Sequence, residues 1–249
     1  MKIQTDVLDV LTRSTVDENN NILFLPSEQL DRKLYLDVNK CLESIGGKWN
    51  RKLRGHLFDH NPSDDLDEMI NTGEWTDEKK EFQFFETPND LAKRMILFAE
   101  IEEGKDGSSI LEPSAGKGAI ADKFPKDNSV SLVELNPKFV KILRDKGYAV
   151  IEGDFLTLDF KADRIIMNPP FTKQQDIKHI FHAWDCLTNG GICVSIVSES
   201  PFFRENKLSR DFREWMDKND IENYKLDEGT FKESGTMVRA RIIVGTKNG

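Results

Sequence analysis

An asparagine, two prolines and an aromatic ring close an apolar run at residues 165–171, IIMNPPF. Two consecutive prolines fix φ twice, remove two backbone donors and push the residue before each toward extended conformations. A strand must stop there, leaving carbonyls without ladder partners. Such carbonyls can face a ligand. By itself Asn-Pro is an ordinary turn dipeptide. It gains weight from what stands upstream. In LEPSAGKG (111–118), Gly116 and Gly118 permit a tight turn and close backbone approach, and two further β-rich runs end in the acids Glu134 and Asp154, the latter followed by Phe155. Singly, each acid reads as a helix cap or a solvated loop residue. Together, three successive run ends deliver ligand-type groups, and a fourth delivers Asn168, Pro169, Pro170 and Phe171.

Elements that could position these groups are visible in the periodicity. From about residue 108 short β-rich runs alternate with helical patterns, the mark of a parallel sheet with helices on its faces. Strands are predicted at SSILEPS, SVSLVEL, YAVIEGD, RIIMN, GICVSIVSE, NYKLD and MVRARIIVGT, and helices at 118–124, 137–146, 174–187 and 208–217. The connection EGTFKESGT is too short for a helical crossover, so the last strand is predicted to be antiparallel. In open sheets of this kind ligands bind beyond the carboxyl ends of the strands, where strand order reverses. Upstream, TPNDLAKRMILFAEI predicts a helix capped by Thr87, with Pro88 at its first position, Asp90 completing the box and Leu91, Met95, Ile96 and Ala99 on one face.

Residues before the polar stretch TDEKKE have their own pattern. A helix bears Ile3, Val7, Val10 and Leu11; a strand NILFLP follows; a second helix bears Leu34, Val38, Cys41, Leu42 and Ile45; then come GGKWNRKLRGHLFD and a short helix after Ser63. The chain therefore divides into a small α+β module at 1–76 and an α/β unit at 77–249, with TDEKKE as the linker.

Composition narrows the classes. The 249 residues contain no apolar run long enough to span a bilayer and no basic-plus-apolar leader, so a soluble cytoplasmic protein without a membrane partner is expected. Cys41, Cys186 and Cys193 are widely spaced and read as core thiols. The four histidines form no ligand triad, His179 and His182 reading as one side of a helix, and no metal is expected. A net charge of −9 opposes indiscriminate binding to polyanions but leaves room for a local basic groove. Positive charge clusters at Lys48, Arg51, Lys52 and Arg54, and again at Arg204, Lys207, Arg210 and Arg213. The second cluster also carries Glu205 and Asp211, as a solvated helix face would.

In that order, FFETP, LEPSAGKG, VELN, GDF and NPPF resemble the S-adenosylmethionine-dependent N6-adenine DNA methyltransferases, over residues 82 to the C-terminus. The resemblance implies a Rossmann-like methyltransferase sheet with S-adenosylmethionine as cofactor. Thr87, Pro88, Glu112, Ser114, Gly116 and Gly118 would surround the methionine part, Glu134 would hold the ribose, and Asp154 would accept from the cofactor's adenine amine with Phe155 beside the ring. It further implies double-stranded DNA as partner, with the target adenine flipped out of the stack, its amine facing Asn168 Oδ1 and the Pro169 carbonyl, and Phe171 stacked on the base.

Family members usually carry a substantial recognition domain after the catalytic one, whereas this sequence ends almost directly after its last strand. The expected DNA contacts are therefore the basic tip of the N-terminal module (Lys48, Arg51, Lys52, Arg54) and the segment SPFFRENKLSR with Arg204 and Lys207. Within that tip, Trp49 reads as the anchor of a hairpin in a small core. Adenine methylation in RNA and glutamine methylation in proteins use the same device and remain alternatives. A non-catalytic nucleic-acid-binding or inhibitory protein is a third, opposed by the intact Asn168, Glu134 and Asp154.

Overall fold

The computed structural model describes residues 2–73, 85–101, 107–126, 128–234 and 238–248. The linker TDEKKE and the 76/77 boundary lie outside them, as do Phe84 of FFETP and the end of the EGTFKESGT connection.

Among the described residues, seven strands form the larger sheet. Its parallel part comprises β5 (Ser109–Pro113), β6 (Ser129–Glu134), β7 (Val150–Glu152), β8 (Ala162–Met167) and β9 (Leu187–Ser198). β11 (Ala240–Thr246) runs antiparallel to both β9 and β10 (Glu222–Lys225), as its short connection requires. The strand order is β10-β11-β9-β8-β5-β6-β7. Consecutive residues of the central strands go to opposite faces: Ile110, Ile166 and Val194 enter one core with Leu91 and Met95 of α4 (Asn89–Phe98), while Leu111, Ile165 and Cys193 enter another with Ile177 and Ile180 of α6 (Gln175–Cys186) and Phe212 of α7 (Lys207–Lys218). This period-two distribution explains why these strands are apolar throughout rather than alternating. β6 and β7 lie on one side of β5, and β8 and β9 on the other. The order reverses between β5 and β8, so the ends of these two strands, at Ser114 and Asn168, flank the crevice.

One predicted helix is absent. Residues 118–124 hold only a single 3-10 turn, Ala121–Lys123. Gly116 and Gly118 both adopt positive φ, and Phe124 is extended before Pro125. Too few residues remain between these breaks to nucleate an α-helix. The adjoining α5 (Pro137–Asp145) is a full helix, with the Asn136 side chain accepting from the Lys138 N–H and Pro137 in the first turn.

Residues 2–73 enclose a separate core. Its strands are β1 (Thr15–Asp17), β2 (Ile22–Phe24), β3 (Lys48–Asn50) and β4 (Gly55–Leu57), and its helices are α1 (Thr5–Arg13), α2 (Arg32–Ser44) and α3 (Ser63–Thr72). The strands form an antiparallel sheet of order β1-β2-β4-β3. β2, β3 and β4 occupy predicted segments, and β1 is an additional edge strand. Trp49 is not the buried anchor expected of the β3–β4 hairpin: it is 47% exposed and packs edge-on against Tyr35 and His56. All three cysteines are buried and free. Among the described residues no helix is long and apolar enough to cross a membrane.

This small unit meets the sheet domain through a buried seam. Asp67 of α3 forms an ion pair with Arg204, whose guanidinium also donates to the Ser63 carbonyl at 3.2 Å. The Arg239 N–H donates to the Asn71 carbonyl, and Phe203 packs against the core of the small unit. Arg204 is 9% exposed, so the sequence reading of Arg204 as a DNA contact is corrected: its charge is consumed inside the protein. Burial pushes Asp67 up to about 6 despite the pull of Arg204.

Candidate active site

A cavity of about 420 Å³ opens at the carboxyl edge of the parallel strands, within the range of small-molecule sites. Thr87, Glu112, Ser114, Glu134, Asp154, Phe155, Asn168, Pro169 and Pro170 all line it, brought together from four strand ends and the start of α4. Gly116, Gly118, Pro88 and Phe171 do not reach its wall. The glycines act behind it, letting the loop after β5 turn back; at Gly118 (φ +86) a Cβ would meet Leu143 Cδ2 at 2.9 Å. Pro88 sits one position earlier than predicted, at the cap of α4 rather than inside its first turn.

Glu134 shapes the glycine loop. One carboxylate oxygen accepts from the Gly116 N–H and the other from the Asn136 N–H, both at 2.7 Å. Asp154 caps the next turn, accepting from the Leu156 N–H at 3.0 Å, and Phe155 is buried beside it. Ser114 holds a left-handed backbone (φ 63) at the end of β5. A non-glycine residue in that region costs of order 1–3 kcal/mol, a strain that clusters at functional sites.

Glu112 is the electrostatic anomaly of the cavity. It is 2% exposed, and its Oε2 has no hydrogen-bond partner. Burial, then the nearby Asp122, raise its carboxyl well above the ordinary range, against the Ala121 N–H that lowers it. A buried acceptor without a donor on a cavity wall is complementary to a cationic ligand group.

Asn168 is held from the far side. Its Nδ2 donates to the Phe85 carbonyl at 3.0 Å and to Thr87 Oγ1 at 3.1 Å. The predicted helix-capping role of Thr87 is thus corrected: no side-chain cap bond forms at α4, and its hydroxyl serves Asn168 instead. Phe171 is also corrected. It is 4% exposed and belongs to the core, with its ring 6.2 Å from that of Phe85, which does reach the cavity wall. An aromatic that follows two prolines can turn to either side, and here the apolar residues of α4 and β8 take it. Immediately beyond, Lys173 (φ 58) and Gln174 (φ 53) are both left-handed, and Gln174 Nε2 lies 3.5 Å from Asp67 Oδ2 across the seam.

Sequence reasoning missed several wall residues. Leu135 (53% exposed) and Phe139 present apolar surface beside Glu134. His179, read only as one side of a helix, also lines the cavity. Its Nδ1 lies 2.8 Å from the Gln175 carbonyl, which fixes that nitrogen as the donor and leaves Nε2 an acceptor. Burial lowers its pKa, which favours the neutral ring. The signal was its place one turn into the helix that follows NPPF. Lys207 is exposed and ion-paired with Asp211 at 2.6 Å, while Lys48, Arg51, Lys52 and Arg54 all stand exposed on the β3–β4 hairpin. Among the described residues no group of three or more His, Cys, Asp or Glu side chains could hold a metal ion.

Comparison with known proteins gives the fold a context. No protein-family model matches the chain. Over 107 residues it is 36% identical to the modification methylase CviBIII of Paramecium bursaria Chlorella virus NC1A; the match covers 39% of this chain and 28% of that relative's length. Among solved structures, it is similar to the M protein of the type I restriction enzyme EcoKI (17% identity, TM-score 0.55, 97% of this chain and 57% of that one). It is also similar to the methyltransferase subunit of a type I restriction-modification system from Streptococcus thermophilus (19% identity, TM-score 0.57, 66% and 45%). At these identities the structural likeness is one of fold: a Rossmann-like methyltransferase sheet with a small additional sheet. The partial match to a modification methylase agrees with the resemblance that the motifs carry.

Proposed function

We propose that the protein transfers a methyl group from S-adenosylmethionine to the N6 amine of adenine in DNA. The observation that carries this reading is Asn168, with both amide hydrogens engaged behind it, at the switch point of a sheet whose other strand ends form a cofactor-sized cavity. The residues present fit the cofactor. The unpartnered Glu112 oxygen suits its ammonium group, Glu134 its ribose hydroxyls, Asp154 its exocyclic amine, and Leu135 and Phe155 offer apolar surface to its base. Bound there, S-adenosylmethionine supplies an electrophilic methyl on a sulfonium leaving group.

An adenine amine is a poor nucleophile because its lone pair is delocalised into the ring. Two acceptors placed along its N–H bonds, Asn168 Oδ1 and the Pro169 carbonyl, favour a tetrahedral nitrogen with its lone pair free to attack. The two prolines fix the direction of that carbonyl. Positioning and fixed dipoles then supply most of the acceleration, with no strong general base required. Asn168 Oδ1 and the Pro169 carbonyl would hold the amine's hydrogens through the reaction, and the proton that the nitrogen sheds would pass to solvent.

The DNA substrate is supported by the 107-residue similarity to a modification methylase and by the exposed basic hairpin. Labelled cofactor offered in parallel to DNA, RNA and a glutamine-bearing peptide tests the reading. Label in N6-methyladenine from digested DNA is the expected outcome; label only in RNA or peptide, or in none, refutes it. Neutralising Lys48, Arg51, Lys52 and Arg54 together should weaken DNA binding and flatten its log–log salt slope by about 0.9 for each phosphate left without its cation. An unchanged slope would free the hairpin of that role.

A further inference from the structure

We infer that Thr87 is a positioning residue for Asn168, taking the amide's second hydrogen and so holding it in the orientation that the Phe85 carbonyl sets. The inference rests on the proposed reading that Asn168 accepts from a substrate amine. A side-chain amide offers two donors on one end and an acceptor on the other, and the two ends occupy nearly the same space. Only the surroundings can decide its orientation. Here the decisive neighbour is the Phe85 carbonyl, 3.0 Å from Nδ2, because a backbone carbonyl cannot donate. Turning the amide over would set oxygen against oxygen. Thr87 Oγ1, at 3.1 Å, takes the second hydrogen, so both donors are used and Oδ1 is the end left for the cavity. Thr87 is 6% exposed, so water is a poor substitute for its hydroxyl.

The segment that supplies these two acceptors is itself anchored. The Glu86 carbonyl accepts from Ser234 Oγ at 2.6 Å, the Glu86 carboxylate lies 3.7 Å from Lys117 Nζ of the glycine loop, and the Phe85 ring leans on buried Phe171. Residues 85–87 thus tie the loop after β5 to the loop after β8, and Thr87 is the member whose side chain, rather than backbone, touches Asn168. Its hydroxyl therefore acts on the chemical step through Asn168, not through cofactor affinity.

Two variants separate this role from a cofactor contact. Thr87→Val keeps the shape and removes the acceptor; Thr87→Ser keeps the acceptor. Thr87→Val should lower kcat about tenfold while leaving the calorimetric cofactor Kd within about twofold, and Thr87→Ser should recover most of the loss. A Thr87→Val enzyme with intact kcat and weakened cofactor binding, or a Thr87→Ser enzyme as impaired as Thr87→Val, overturns the inference. Hydrogen exchange of the Asn168 side-chain amide, followed by 15N NMR on the whole chain, gives a readout that needs no turnover. Protection in the wild type that disappears in Thr87→Val supports the positioning role, and equal exchange in both refutes it. If the wild type methylates no adenine, the functional reading fails while the exchange measurement still decides the role of Thr87.

Discussion

The two walls of the cavity are built on different principles. On one, Ser114, Glu134 and Asp154 stand at or just beyond the ends of β5, β6 and β7, Asp154 held by the backbone just after it and Glu134 by the Asn136 N–H and the Gly116 N–H of the neighbouring loop. On the other, Asn168 owes its orientation to residues 83 and 81 positions upstream, and the loop behind it abuts Asp67 of the small unit. A wall made of strand ends is assembled locally and can lose one group at a time. A wall made of long-range contacts is a joint, and its parts fail together.

Substitutions on the two walls should therefore behave differently. Asn168→Ala removes the acceptor at the reacting nitrogen, and methyl transfer should fall at least about a thousandfold with cofactor affinity preserved; a parallel loss in calorimetric binding would mean that the walls are not separable. Next in size is Arg204→Ala, which leaves buried Asp67 without its cation and should cost about 3–5 kcal/mol in urea unfolding, whereas Lys207→Ala, exposed and three residues on, should stay within about 0.5 kcal/mol. Equal effects would erase the distinction between seam and surface. Asp154→Ala should weaken cofactor binding by about 1–3 kcal/mol and leave turnover at saturating cofactor nearly unchanged.

A graded effect concerns pH. Glu112 carries a raised pKa in the free protein, so at low pH it is protonated, and a cationic ligand must displace that proton. Cofactor affinity should rise with pH, by up to about tenfold per unit below the raised pKa, and level off above it. Glu112→Gln should bind more weakly at high pH and lose the dependence. Calorimetry in two buffers of different ionisation heat would register the released proton; identical apparent enthalpies would count against Glu112 as the ammonium partner.

The locally built wall was the legible one. Glu134, Asp154 and Asn168 each terminate a β-rich run, so strand periodicity alone delivers them to one edge of the sheet. The hairpin tip was legible for a similar reason, since four basic residues around a tight turn have nowhere to go but solvent. Thr87 was not. Its position before a proline reads as a helix cap, and nothing local says that its hydroxyl is needed by an asparagine 81 residues later. Arg204 was misread because a positive charge does not announce what faces it. The helix after the glycine loop failed on backbone geometry, since the two glycines that allow the turn also deny the following residues a helical start.

The seam at Asp67 and Arg204 has a consequence for scission of the polypeptide. A protease that severed the chain between residues 73 and 85 would cut the covalent tie but not the ion pair, the Arg239–Asn71 bond or the packing of Phe203 against the smaller core. The two fragments should co-elute as one particle under native conditions and part only in denaturant, as subunits of a heterodimer do.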